Sequence, residues 1–442
     1  MRRSGPRVRP RPSIPWLSPG RFGRDPNGVR PGDASGARRR LAKLGAKRSR
    51  VVGVASSETG WPGFPKPRRA RLPAPADGAQ PKGFAGVRLS FEQADASLAA
   101  AADRLALPAS SWGGADFDIL AISGGAAGGA FSAGALAGLT RAGRRPTFAI
   151  VTGVSTGALI APFAFLGPEW DDRLRDAYCG GHAAQAFGLM GVSPLLDGGL
   201  FKPDALEGLV GPFVDERLIE AVAAQHRLGR RLLVATTDLD RQKPCIWDMG
   251  EIAARGGPEA VRMFRDVLIA SASLPGLFPP RRFTVEQDGA EFEELHADGG
   301  VAAPLFIMPE ALLHWRQLGR RMRRGRVHVL INTVLDPAPR TTAISLPSVL
   351  VRSFDTMLRV SYRQALNVAV TFCVAHNLSL SVASIAEAPG ATDNGAMLNF
   401  DTAAMRRLFD AAEAAAQAPD FWRTPAARSD PWSDFLAFLQ SR

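Results

Sequence analysis

The chain has 442 residues, 46% of them apolar and 22% charged, which is material for one large domain or two to three smaller ones with a substantial core. Its net charge of +12 is lopsided: residues 1–84 hold 20 Lys and Arg against 4 Asp and Glu, while the remainder holds 34 against 38. The folded part is therefore not a basic nucleic-acid surface, and three scattered cysteines (Cys179, Cys245, Cys373) without a C-x-x-C pair exclude a disulfide framework and a zinc site.

Residues 1–84 are rich in Arg, Pro and Gly and lack apolar periodicity, so they cannot bury enough surface to offset their ordering entropy and read as a disordered leader. Met1-Arg2-Arg3 begins like a signal peptide, but no apolar stretch of the required length follows. The leader is open to three readings: an over-extended translation start, an inert tail, or a basic arm for an anionic membrane. Residues 85–116 form a lead-in, with a helix expected over 90–105 and a loop at Trp112.

From residue 117 an α/β pattern sets in. Strands are expected at 117–123, 148–151, 230–239, up to Asp298, at 326–333 and at 379–385. Helices are expected at 131–143, after residue 157, near 214–225, and at 257–273, 305–318, 347–375 and 402–417. Alternation of this kind implies a mostly parallel central sheet covered on both faces. The expected architecture is a three-layer α/β/α sandwich, with a core at 117–305 and a C-terminal completion with added helices at 306–442. Two uncharged windows, 148–168 and 364–386, reach membrane-spanning length. Glycine, proline and polar residues interrupt them, and they read as core elements. With neither a membrane span nor a signal peptide, a cytoplasmic or peripheral-membrane location is expected.

Three stretches carry chemistry. Gly153-Val154-Ser155-Thr156-Gly157 is a G-x-S-x-G pattern between an apolar strand and an apolar helix. In that context the turn is so tight that glycines flank a serine pushed out at the helix start, where N–H groups favour developing negative charge. Upstream, Ser123-Gly124-Gly125-Ala126-Ala127-Gly128-Gly129-Ala130 joins a strand to a helix. It departs from the dinucleotide spacing, and an oxyanion hole made of Gly124, Gly125 and Ala126 amides suits a neighbouring nucleophile better. Downstream, Asp298-Gly299-Gly300 puts a carboxylate at a strand end, on the ligand-binding edge expected of a parallel sheet. No metal or cofactor is called for, and Asp238 and Asp240 read as loop-ordering residues.

Together these stretches resemble the patatin-like phospholipase family, from about residue 118 to 304. The resemblance includes Phe131 and Gly134 after the glycine loop and the stretches 236–250 and 264–280. It implies a Ser–Asp dyad without a catalytic histidine: Ser155 as nucleophile, Asp298 as proton acceptor, the 124–126 amides as oxyanion hole, and a lipid or other ester as substrate. The family loop usually reads G-G-G-x-R/K-G, and this chain has Ala126 and Gly128 at the third glycine and the basic position. The rival reading is a Ser-His-Asp esterase. Among histidines 182, 226, 296, 314, 328 and 376, only His296 and His376 are plausible partners, because His226 and His314 read as surface residues and His328 as a strand residue. Two further alternatives are a catalytically weakened lipid-binding scaffold and a nucleic-acid-associated protein acting through the leader. The arginine run 320–326 reads as a helix end or a lipid-headgroup patch.

Overall fold

The computed structural model describes residues 78–89, 118–187, 204–307, 325–335, 339, 341–376, 378–385 and 399–424. The leader up to residue 77, the 90–105 helix, Trp112, the 305–318 helix from residue 308 onward, His314 and the arginines up to Arg324 lie outside the described residues.

Among the described residues ten strands form one sheet: β1 (Gln80–Pro81), β2 (Arg88–Leu89), β3 (Asp118–Ile122), β4 (Ile150–Val154), β5 (Arg231–Asp238), β6 (Lys243–Asp248), β7 (Arg281–Gln287), β8 (Ala290–Asp298), β9 (Arg326–Ile331) and β10 (Ser379–Ser384). Five of them, in the order β5-β4-β3-β9-β10, are parallel throughout. Their apolar runs are buried on both faces, as strands of a covered parallel sheet must be. The rest of the sheet is antiparallel: β6 and β8 on β5, β7 on β8, β1 on β7 and β2 on β6. The expected parallel sheet is thus the half that carries the serine.

Helices cover both faces. On one side lie α1 (Gly129–Arg141), α2 (Thr156–Leu166), α3 (Asp171–Cys179), α4 (His182–Phe187), α5 (Ala205–Val210), α6 (Glu216–Arg227), α7 (Met249–Arg255), α8 (Gly257–Ala272) and α10 (Thr402–Ala415), packed with Leu120, Ile122, Val151, Leu232 and Val234. On the other, among the described residues, lies the long helix α9 (Leu346–His376), whose Leu358, Tyr362, Ala369 and Phe372 meet Ile119, Ala121, Leu233, Val327 and Val329. Successive strand residues point to opposite faces, so each β3 and β5 side chain falls into one core or the other. The C-terminal helix α10 belongs to this body: a Cβ at Gly134 or Gly138 of α1 would stand 2.1 or 2.2 Å from its backbone oxygens.

The first uncharged window is β4 and the buried helix α2. The second is the end of α9 followed by β10, and on it Val368 and Val374 face outward, exposed, rather than into the core. No helix among the described residues is long and apolar enough to cross a membrane.

Candidate active site

The site arises where two strands meet head-on. β6 runs along one side of β5 over residues 233–238. The other side is shared by β4, opposite residues 231–235, and β8, opposite 236–238. Because β4 runs with β5 and β8 runs against it, their C-terminal ends converge: Val154 faces Ala235 and Asp298 faces the next residue, Thr236. Each chain must turn aside at once. β4 does so at Ser155, at φ 55° and ψ −128°, into α2. β8 does so at Gly299, where a Cβ would stand 2.2 Å from the Ala235 carbonyl oxygen and 3.1 Å from Val154 Cγ1. Gly153 and Gly157 are equally confined, the latter against the Ile122 and Ser123 carbonyls. Asp298 therefore reaches the sheet edge as expected but for a different reason: its strand is antiparallel and arrives from beyond that edge.

At this junction Ser155 Oγ donates to Asp298 Oδ2 over 2.6 Å, and Gly300 N–H donates to Oδ1 over 2.7 Å. Asp298 is 1% exposed, and burial pushes its carboxyl up to about 7 although both donors favour the carboxylate. Helix α8 and the residue just after it fix both partners. Ser155 N–H donates to Ser271 Oγ, Ser271 donates in turn to the Ala235 carbonyl, and Asp298 N–H donates to the Ser273 carbonyl. Thr237 Oγ1 holds the Asp298 carbonyl from β5. The 264–280 stretch carries the family resemblance in the sequence, but only tertiary contact reveals these two serines as supports.

The glycine-rich loop lies beside the serine. Among the described residues the N–H groups of Gly124, Gly125 and Ala126 donate to nothing, so they remain available to an anion. Ala126 stands at φ 48°, a conformation that favours glycine. A Cβ at Gly125 or Gly128 would lie 2.2 or 2.1 Å from the Asn332 carbonyl oxygen, so no basic side chain fits at 128 in this packing. Asn332, just after β9, ties the loop down. Its side chain accepts from Ser132 N–H and Oγ–H and donates to the Ser123 carbonyl, and its own N–H donates to Ser123 Oγ. Nothing in the local sequence pattern marks Asn332.

The histidines are placed elsewhere. His296 Nδ1 bonds Thr236 Oγ1 and its Nε2 faces Glu294 at 3.3 Å, so both ring nitrogens are engaged. His376 ends α9 three residues before β10, at the opposite edge of the sheet from Ser155, and its side chain lies outside the described residues. His226 is not a surface residue: its largely buried ring sits between Asp248 and Glu251. His328 bonds Asp118, which also holds Arg326, the last residue of the arginine run.

Asp238 orders its turn by accepting from the N–H groups of Asp240 and Arg241. Asp238, Glu294 and His296 lie close enough together to suggest a cation site, yet Arg88 and Arg241 already neutralise the carboxylates. Burial works against charge on Glu294, but His296 and these arginines hold its carboxyl below the usual range. The cluster is an ion-pair network rather than a metal centre. All three cysteines are free thiols, two of them buried.

A pocket opens at Ser155. Leu159, Phe163, Leu209, Phe213, Leu268 and Leu277 make its wall, and Gly124, Gly125, Ala126 and Asp298 form its polar end. Fold and site together define an α/β protein whose elbow serine meets a buried carboxylate at the mouth of an apolar cavity. Residues 120–310 match the family model described as Patatin-like phospholipase. This match supports a lipid acyl hydrolase in general. Among solved structures the chain is similar to VipD from Legionella pneumophila, with a TM-score of 0.30 and 12% identity, covering 68% of this chain and 66% of that one. It thus spans just under two thirds of that structure. No curated protein sequence matches the chain.

Proposed function

We propose that the protein hydrolyses carboxylic esters of lipids through an acyl-serine, with Ser155 as nucleophile and Asp298 as the general base. The observation that carries this reading is the 2.6 Å bond from Ser155 Oγ to a buried carboxylate at the polar end of an otherwise apolar pocket.

Ser155 Oγ attacks the ester carbonyl carbon while its proton passes to Asp298 Oδ2. The carbonyl π-pair moves onto oxygen, and the 124–126 amides stabilise that charge. Collapse of the tetrahedral species expels the alcohol oxygen, which takes the proton from Asp298. Water then adds to the acyl-serine and gives a proton to Asp298. The second collapse releases the fatty acid and returns the proton to Ser155 Oγ. A carboxyl titrating near 7 suits both directions of transfer, since a group whose pKa lies near the working pH gives and takes a proton with similar ease. The apolar wall accommodates the acyl chain and keeps water from the acyl-enzyme except along the mouth.

The test is hydrolysis of p-nitrophenyl esters of graded acyl length, together with labelling by a fluorophosphonate. The expected result is turnover, and a label on Ser155 that Ser155→Ala abolishes. A wild-type protein that neither hydrolyses nor labels sinks the reading.

A further inference from the structure

The sequence contains two tyrosines, and both are buried in the wall of the same pocket. A buried phenol in an apolar wall calls for a reason, because its hydroxyl loses hydration unless something replaces it. For Tyr178 the reason is plain: its hydroxyl bonds Thr156 Oγ1 at 2.7 Å and the Thr156 carbonyl at 3.2 Å, and so braces the residue after the nucleophile.

Tyr362 is different. It comes from α9, beyond the stretch that matches the family model, and is 2% exposed. The point where a Gly124 Cβ would stand is 3.0 Å from the Tyr362 hydroxyl, 3.1 Å from Ser155 Cβ and 3.7 Å from Ser155 Oγ. Phenol and nucleophile thus both lie against Gly124, one of the three loop residues whose N–H is unclaimed among the described residues.

We propose that Tyr362 is a catalytic residue of the acyl transfer, its phenol donating an additional hydrogen bond to the oxyanion that forms in front of Gly124. The proposal rests on the reading of Ser155 as nucleophile. An oxyanion hole works because its donors are already aimed when charge develops, and a ring wedged between a helix and the sheet meets that requirement. Burial, with Asp298 nearby, pushes the phenol above its ordinary range, so it keeps its proton and remains a donor over the working pH range. The neutral phenol adds no charge of its own to a wall that is otherwise hydrocarbon. The sequence shows why this donor is hard to see: more than two hundred residues separate Tyr362 from Ser155, and no motif surrounds it.

The experiment compares wild type with Tyr362→Phe, which removes only the hydroxyl. With p-nitrophenyl esters kcat is expected to fall on the order of 10–100-fold with KM within about twofold. Affinity for a trifluoromethyl ketone analogue should weaken by the same factor, with the melting temperature little changed. A role limited to propping the loop would instead lower the melting temperature, or weaken substrate and analogue together, and either result overturns the proposal. So does a kcat within about twofold of wild type.

A second readout does not need that variant. Replacing both tyrosines by 3-fluorotyrosine gives two 19F resonances, and Tyr178→Phe identifies the one from Tyr362. That resonance should shift when a fluorophosphonate modifies Ser155, and an unmoved resonance overturns the proposal. Wild type without turnover or label sinks the acyl-hydrolase reading itself, whereas active wild type with an indifferent Tyr362→Phe sinks this assignment alone.

Discussion

Two turns face each other at the mouth of the pocket, and each holds a non-glycine residue at positive φ: Ser155 at 55° in the elbow and Ala126 at 48° in the glycine-rich loop. At the elbow the strained backbone has a use, because it turns the serine hydroxyl onto Asp298 where two strands collide. At Ala126 the same conformation carries a methyl group with no comparable task, and the proposed mechanism uses only the backbone N–H. The elbow is held from several directions, by Ser271, by the β8 turn and by the close approach of Gly157 to β3. The loop is held chiefly through Asn332. The elbow should therefore respond to changes in its functional groups, and the loop to changes in its packing.

The largest effects belong at the elbow and its partner. Ser155→Ala should reduce kcat/KM by at least ~10⁴-fold, measured against p-nitrophenyl esters, because the covalent route is lost. Asp298→Asn should follow at about 10³–10⁴-fold, since an amide cannot take the proton. On the proposed mechanism activity needs the carboxylate, so kcat/KM should fall as pH drops through about 7, the value to which burial pushes Asp298. A pH profile flat from 5 to 8 would break the assignment of Asp298 as base.

Stability runs the other way. Between the ordinary carboxyl value and about 7 the native state holds a proton that the unfolded state has lost, so stability declines as pH rises across that window. The ionised form costs the native state roughly 4 kcal/mol at most. Denaturation at pH 8 should therefore find Asp298→Asn more stable than wild type, with the gap closing near pH 4.

How much of this was legible follows from range. The elbow, the loop and Asp298-Gly299-Gly300 could be read because a tight turn forces glycines into fixed local spacing, and the parallel strands because burial on both faces gives continuous apolar runs. The hairpin from β5 to β6 lacked its usual signal: Gln242 takes the positive φ where Asn or Gly is common, and Pro244 sits inside the strand. The head-on meeting of β4 and β8 could not be read, because strand direction is set by pairing across sixty residues and leaves no mark within either segment. Ser271, Asn332 and Tyr362 act at a distance in the same way. The departures at Ala126 and Gly128 were visible as residues, while their meaning depended on Asn332.

The loop's packing gives a sharper prediction than its composition. Restoring the basic residue common in the family, Gly128→Arg, brings a Cβ onto the Asn332 carbonyl, with 2.1 Å between them before any movement. The clash cannot be relieved by a side-chain rotation, because the obstacle is backbone. The variant should lose at least about 2 kcal/mol of stability in a denaturant titration, together with ester hydrolysis, since the 124–126 amides move with the loop. A folded Gly128→Arg with increased phospholipid turnover would show that Asn332 yields readily and that the loop is less firmly held than the elbow.

The smallest effect separates the two turns most finely. Ala126→Gly removes a Cβ from a left-handed conformation, where it costs about 1 kcal/mol, but adds chain freedom to the unfolded state that offsets part of the gain. The net expectation is a stabilisation below about 1 kcal/mol, seen as a rise of a few degrees at most in melting temperature. The N–H at position 126 stays in place, so kcat should remain within about threefold of wild type. The corresponding change at the elbow, Ser155→Gly, relieves similar strain and removes the reaction. If Ala126→Gly instead loses tenfold or more in kcat with unchanged stability, then the methyl group steers the oxyanion loop, and the strain at Ala126 has a function as the strain at Ser155 does.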